Sequence, residues 1–154
     1  MGVFRGTDGK DIFQGTREND IFYGHGGDDV LAGGRGRNTL FGDAGEDVII
    51  LDAAGDTIAF GGDGSGNDGE QDTFFTFMGT RGEIRDFEPG IDKLSSILSF
   101  SDNLDGEVED TDQGVVLRDP LGGEILIVGV TEDELRASGS ILTEDELIDF
   151  SIVA

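Results

Sequence analysis

The sequence predicts an all-β fold: a parallel β-roll, a solenoid of nonapeptide repeats, followed by a small β-rich cap with short helical turns. Three observations predict it. From Gly6 to Ala59 one nine-residue phrase recurs six times without a gap, as GTDGKDIFQ, GTRENDIFY, GHGGDDVLA, GGRGRNTLF, GDAGEDVII and LDAAGDTIA. Its sixth place is Asp11, Asp20, Asp29, Asn38, Asp47 and Asp56, and its eighth is apolar throughout, Phe13, Phe22, Leu31, Leu40, Ile49 and Ile58. The third observation is charge, 34 acidic against 10 basic residues for a net −24, with 27 glycines. A period held this strictly makes each phrase one supersecondary unit stacked on its neighbours.

Taken in order, Met1 to Arg5 is a short lead-in and Gly6 to Ala59 the roll. Glycines fall in the first half of each phrase, where tight turns need positive φ or close backbone approach, so that half is a loop. The second half is too short for a helix and holds Ile, Val, Phe and Leu, so it is a strand. Two strands and two loops make one coil, which stacks residues eighteen apart. Asp11, Asp29 and Asp47 then form one column and Asp20, Asn38 and Asp56 the other. Stacked carboxylates repel unless something positive lies between them. Oxygen ligands without any cysteine select a hard cation, and loop carbonyls with flexible geometry favour calcium over magnesium. From Phe60 to Asp72 the run FGGDGSGNDGEQD breaks the phase as a glycine-acid loop that offers a ligand through Asp63, Asp68 or Asp72, and Phe74 resumes the apolar place.

The phrases resemble the RTX (repeats-in-toxin) calcium-binding nonapeptide, Gly-Gly-x-Gly-x-Asp-x-apolar-x, most closely in GHGGDDVLAGG. The resemblance implies several calcium ions held between loops on the same edge. Its ligands would be the sixth-place side chains and backbone carbonyls such as those of Gly9, Gly27, Gly36 and Gly45. Three departures stand out: Asn38 removes a charge from its column, Glu18 replaces a loop glycine, and the sixth phrase opens with Leu51. Sites touching Asn38 are expected to be weaker than those between Asp11, Asp29 and Asp47.

Composition changes after Met78, which divides the chain into a roll over residues 1–78 and a capping region over 79–154. DTFFTF and IRDFEPGIDKLS resemble the segment that closes the roll in serralysin-type proteases and alginate epimerase modules, with Ser95 and Ser96 where Asp-Leu-Ser is usual. A cap is physically required, since an open roll leaves an unpaired strand edge. Val115 to Leu117 and Glu124 to Val130 read as strands joined by a turn at Pro120 to Gly123. Thr131 with Glu134, and Thr143 with Glu146, form capping boxes. The chain finishes LIDFSIVA, with no Lys or Arg after Arg136. That ending resembles the C-terminal export signal of type I secretion substrates.

Other chemistries fit poorly. His25 is the only histidine, so no histidine pair or HExxH helix exists for zinc, and its place in a loop faces solvent. Gly64, Gly66 and Gly69 satisfy GxGxxG, yet acids surround them and no helix pattern follows. The acids from Asp102 to Asp112 read as an exposed hairpin rather than a glycosidase pair. No run approaches the ~20 apolar residues of a membrane span, and Met1 to Lys10 lacks the pattern of a signal peptide. A chain this acidic is expected to fold poorly without counter-ions, making metal binding and folding one event. The reading is a non-enzymatic calcium module, secreted and extracellular, that folds on calcium and supports secretion and folding of a bacterial protein. Its expected partners are calcium, a larger parent polypeptide and the type I secretion apparatus, with no nucleic acid. Two alternatives are a carbohydrate-binding module for a polysaccharide, with Arg35 and Arg37 sharing a loop, and an acidic nucleic-acid mimic, for which a nine-residue register has no use.

Overall fold

The structure, a computed structural model, describes residues 1–96 and 107–142. Two sheets face each other across a single layer of side chains. The first holds eight strands in the order β1 (Val3–Arg5), β3 (Ile21–Tyr23), β5 (Gly36–Phe41), β7 (Gly55–Phe60), β9 (Arg81–Ile84), β13 (Glu124–Val128), β12 (Gly114–Arg118) and β11 (Glu107–Asp110). The second holds five, β10 (Lys93–Ser96), β8 (Thr73–Thr76), β6 (Val48–Leu51), β4 (Val30–Ala32) and β2 (Ile12–Gln14). From β1 to β10 the chain alternates between the sheets, and every pairing within them is parallel. This is the parallel β-roll that the period predicts.

The strands are short because each contributes little to the core. In the second sheet Phe13, Leu31, Ile49, Phe74 and Leu94 lie in register. In the first the ladder runs Phe4, Phe22, Leu40, Ala59, Ile84 and Ile127. Eight of these, from Phe22 to Ile127, are wholly inaccessible, as is Ala59. The first coil is lined by aromatic rings, with Phe4 and Phe22 stacked at 4.5 Å and Phe13 tilted against both. A roll with one or two core side chains per strand gains limited hydrophobic stabilisation, roughly 1.5–3 kcal/mol for each large residue buried, against the ordering of many glycine-rich loop residues.

Two expectations about register are corrected. The sixth phrase is shifted by one residue: Thr57, not Asp56, pairs with Asn38, and Ala59, not Ile58, is the core residue opposite Leu40. Leu51 belongs to β6 and is buried, and the turn closed by Gly55 N–H on the Asp52 carbonyl takes up the extra residue. The shift leaves Asp56 outside against Arg37 and brings Phe60 onto Phe41, where the rings stack at 4.7 Å. The parallel stacking also continues past residue 78, since β9 and β10 add a further coil.

The closing elements follow the sequence. Strand β13 pairs in parallel with β9 and carries Ile127 into the core ladder, and β12 and β11 then turn antiparallel. Helix α1 (Glu132–Ala137) is opened by the Thr131–Glu134 capping box and buries Leu135; a cap of this kind contributes about 1 kcal/mol. Residues 140–142 lie along β10, with the Leu94 N–H donating to the Ser140 carbonyl and Leu142 N–H to the Leu94 carbonyl, so the second sheet does not end on an open edge there. The Thr143–Glu146 box, the LIDFSIVA ending and the acids from Asp102 to Asp105 lie outside the described residues.

Candidate metal centre

The sixth-place residues form two stacked columns, one on each loop edge of the roll. On the first edge each carboxylate from Asp29 onward reaches back to the backbone of the preceding coil. The Asp11 N–H donates to Asp29 Oδ1 at 2.7 Å, Asp29 to Asp47 Oδ1 at 2.7 Å, Asp47 to Asp72 Oδ1 at 2.8 Å and Asp72 to Asp92 Oδ1 at 3.0 Å. Short strands fix this geometry, because the residue before each strand must lie directly over its counterpart.

One oxygen of each carboxylate is thus used, and the fate of the other differs between coils. Asp29 Oδ2 and Asp47 Oδ2 are buried without any hydrogen-bond partner. Both residues are 1% exposed, and an orphaned buried acceptor costs roughly 1–3 kcal/mol, more when charged. The loops explain the vacancy of partners. His25 and Asp43, four residues before each aspartate, have φ of 76° and 75°, unusual for residues other than glycine. That conformation directs the His25 N–H to Asp43 Oδ2 on the next coil, at 2.9 Å, and away from Asp29. Strain of this kind, about 1–3 kcal/mol per residue, clusters at functional sites.

Glycine is needed at the first place for a related reason. A methyl group at Gly42 would fall on both Asp47 Oδ2 and the Gly61 carbonyl oxygen, and one at Gly24 on Asp29 Oδ2 and the Gly42 carbonyl oxygen. Carboxylate and carbonyl oxygens therefore converge between consecutive loops. Among the described residues no three acidic or histidine side chains meet at one point, as expected where each loop gives one carboxylate and the rest is backbone.

The electrostatics agree. Burial pushes the Asp29 carboxyl above the ordinary range, with Asp11, Asp28 and Asp43 adding to the rise and the Asp11 N–H opposing it. Burial first, then neighbouring carboxylates, takes Asp47 up to about 7, Asp72 up to about 8 and Asp92 up to about 7. Hydrogen bonds to their charged forms fail to offset this. A divalent cation between the loops would satisfy the orphaned oxygens and cancel the repulsion together, and the all-oxygen donor set fits calcium.

The second edge is different. Its column reads Asp20, Asn38, Thr57 and Gly82. Burial raises the Asp20 carboxyl, but the Thr16 N–H and hydroxyl with the Gly2 N–H outweigh it and hold the group low. Asn38 accepts from the Asp20 N–H at 3.0 Å through Oδ1.

Of the residues the sequence nominates, Asp11, Asp29, Asp47 and Asp72 share the first column and Asp20 and Asn38 the second. Asp56 joins neither; its side chain is 55% exposed. The Gly27 carbonyl oxygen lies under Gly45 on the next coil, the Gly36 carbonyl oxygen under Gly55, and the Gly9 carbonyl oxygen 3.1 Å from the Thr7 hydroxyl oxygen. Asp63 stays outside, accepting from the Ser65 N–H. His25 is half exposed, as expected, near Asp43. Asp92, kept out of the nominated ligands because Ser95 and Ser96 stand where Asp-Leu-Ser is usual, joins the first column all the same. Its signal was present: Asp92-Lys93-Leu94 repeats the acid-x-apolar end of the phrase, and twenty residues separate it from Asp72.

The family model for the RTX calcium-binding nonapeptide repeat, in four copies, matches residues 5–40, 26–58 and 33–69. These residues are RTX nonapeptide repeats, and the ion that such repeats bind is calcium. No curated protein sequence matches the chain. Among solved structures, the chain is similar to the solution structure of the AlgE6R3 subunit from the Azotobacter vinelandii mannuronan C5-epimerase. The two are 24% identical, with 91% of this chain and 81% of that one covered and a TM-score of 0.47.

Proposed function

We propose that this chain is a calcium-triggered folding module, non-catalytic in itself, that supports secretion and extracellular folding of a bacterial protein. The observation that carries the proposal is the pair of buried, partnerless carboxylate oxygens on Asp29 and Asp47. Without an ion the folded roll must hold them unpaired beside further acids; with one, each gains a partner. Calcium supplies positive charge and flexible oxygen coordination. The residues that would hold it are the sixth-place carboxylates with loop carbonyls at the adjoining coils. A small core and a net charge of −24 leave folding dependent on that contribution, so calcium-poor surroundings keep the chain unfolded and calcium-rich ones order it. In this reading residues 79–154 act as the cap, their first coil still following the roll, and LIDFSIVA serves as the export signal.

The test is far-ultraviolet circular dichroism during a calcium titration, with magnesium as control. The expected result is a cooperative gain of β signal with calcium alone. A β signal already complete in chelator would sink the switch. The polysaccharide alternative draws no support from the outer groove of about 750 Å³. Its arginines are engaged, Arg37 by Asp56, Arg81 by the Gly122 carbonyl and Arg118 by Glu109 and Glu124. The rings of Tyr23, Phe41 and Phe60 stack on one another, so their faces are turned to each other.

A further inference from the structure

We propose that calcium occupies only one of the two loop edges of the roll, the edge carrying Asp29, Asp47 and Asp72, while the Asn38 loop of the opposite edge and the first coil are closed by the chain's own hydrogen bonds. This rests on the calcium reading above and adds which loops take ions and what replaces them elsewhere.

Three consecutive loops share one backbone path. Their second and fourth places are all at positive φ: His25 at 76° and Gly27 at 91°, Gly34 at 74° and Gly36 at 88°, Asp43 at 75° and Gly45 at 126°. The middle loop lies on the second edge and the outer two on the first, so backbone shape does not distinguish the edges. The sixth-place side chain does. Asp29 and Asp47 leave Oδ2 buried and unpartnered. Asn38, at the same place, turns its Nδ2 into its own loop and donates to the Gly34 carbonyl at 3.4 Å and the Arg35 carbonyl at 3.2 Å. An amide that donates to loop carbonyls fills the role an ion has elsewhere, and it adds no carboxylate to attract one. The next two places down that column, Thr57 and Gly82, carry no charge either.

The first coil is closed by threonine on both edges. Thr7 donates its N–H at 2.6 Å and its hydroxyl at 2.9 Å to Asp11 Oδ2. Thr16 does the same to Asp20 Oδ2, at 2.8 and 2.7 Å, while Gly2 N–H takes Asp20 Oδ1 at 2.6 Å. A β-branched residue disfavours positive φ, and neither threonine has it. The loops of the first coil therefore follow another path, in which the N–H that His25 and Asp43 turn away reaches the carboxylate instead. Every carboxylate oxygen of Asp20 has a donor, and so does Asp11 Oδ2. A calcium ion there would have to displace bonds already made.

Native mass spectrometry of the full chain in calcium, which counts bound ions, tests this with Asn38→Asp, Asp20→Asn and Asp47→Asn. Asn38→Asp should gain one ion over the parent, because it restores a carboxylate to a loop already shaped like its ion-binding neighbours. Asp20→Asn should leave the count unchanged and Asp47→Asn should lower it. Because Asp47→Asn can simply fail to fold, the decision lies with the other two variants. An unchanged count for Asn38→Asp, or an ion lost with Asp20→Asn, overturns the one-edge proposal and leaves the calcium reading intact. A parent chain that binds no calcium overturns both.

Discussion

At the scale of single residues the site depends as much on missing side chains as on carboxylates. Gly42 supplies no ligand atom from a side chain, yet the space left by its missing Cβ is where Asp47 Oδ2 and the Gly61 carbonyl oxygen meet. Gly42→Ala therefore leaves every charge in place and removes the space between the oxygens. The calcium concentration at the folding midpoint should rise by about ten-fold or more, the scale on which site rigidity and ligand charge tune such affinities. Gly9→Ala is the control, since nothing lies within 4 Å of a methyl group at that position, and its midpoint should stay within a factor of about two. Equal shifts in a calcium titration followed by circular dichroism would show that the cradle at Gly42 has no special role. A second prediction concerns Thr57, whose buried hydroxyl has no partner. Thr57→Val should raise Tm, with a gain of about 1 kcal/mol from removing an orphaned polar group, and should not move the calcium midpoint, because that column carries no ion. A Tm lowered by the change would mean that the hydroxyl has a partner when calcium is bound.

At the scale of the element, the phrase was legible and its register was not everywhere. Alternation of acid and apolar places gave the strands, the coil of eighteen residues and the stacking of Asp11, Asp29 and Asp47, all of which depend on local composition. The shift at Thr57 was hidden because LDAAGDTIA reads equally well in either frame. What decides the frame is tertiary: stacking Phe60 on Phe41 and leaving Asp56 beside Arg37 in solvent. Burying an unpaired charge at that place would be far costlier than exposing Ile58 in part. The insertion before Asp72 was legible as a break in phase, but its outcome, twenty-five residues between Asp47 and Asp72 with the column unbroken, follows from closure of a loop whose length costs little extra entropy. Thr7 and Thr16 look like ordinary substitutions at a variable place; their part as internal partners is visible only once hydrogen bonds are known. The aromatic ladder of Tyr23, Phe41 and Phe60 on the outer face, with Arg5 over one end at 4.7 Å and Arg85 over the other at 6.0 Å, was likewise unread. Each stacked pair contributes about 0.5–1.5 kcal/mol beyond area. Phe41→Ala removes two such pairs and should lower Tm in saturating calcium while leaving the number of bound ions unchanged in native mass spectrometry. A lost ion would tie the ladder to the metal edge.

At the scale of the whole molecule, the first-edge carboxylates couple folding to protons as well as to metal. In the metal-free fold Asp47, Asp72 and Asp92 stand at about 7, 8 and 7, above the ordinary carboxylate value of ~3.9 that they return to on unfolding. Between these values the folded chain binds more protons than the unfolded one, so metal-free stability rises as pH falls. The contribution is fully present below about pH 4 and is lost as pH rises through about 7 to 8, where all three must ionise in place. The fall in net charge from −24 acts in the same direction by weakening self-repulsion. Metal-free protein should therefore gain β signal between pH 8 and pH 5, a partial substitute for calcium. In calcium the dependence reverses, because protons and calcium compete for the same oxygens and the calcium midpoint should climb as pH is lowered. Far-ultraviolet circular dichroism of dialysed protein at both pH values, each with and without calcium, reads both arms. Loss of β signal on acidification of the metal-free chain would place the dominant titration elsewhere, in carboxylates whose folded-state pKa is lowered, such as Asp20 and Asp119, and the first edge would then not govern folding.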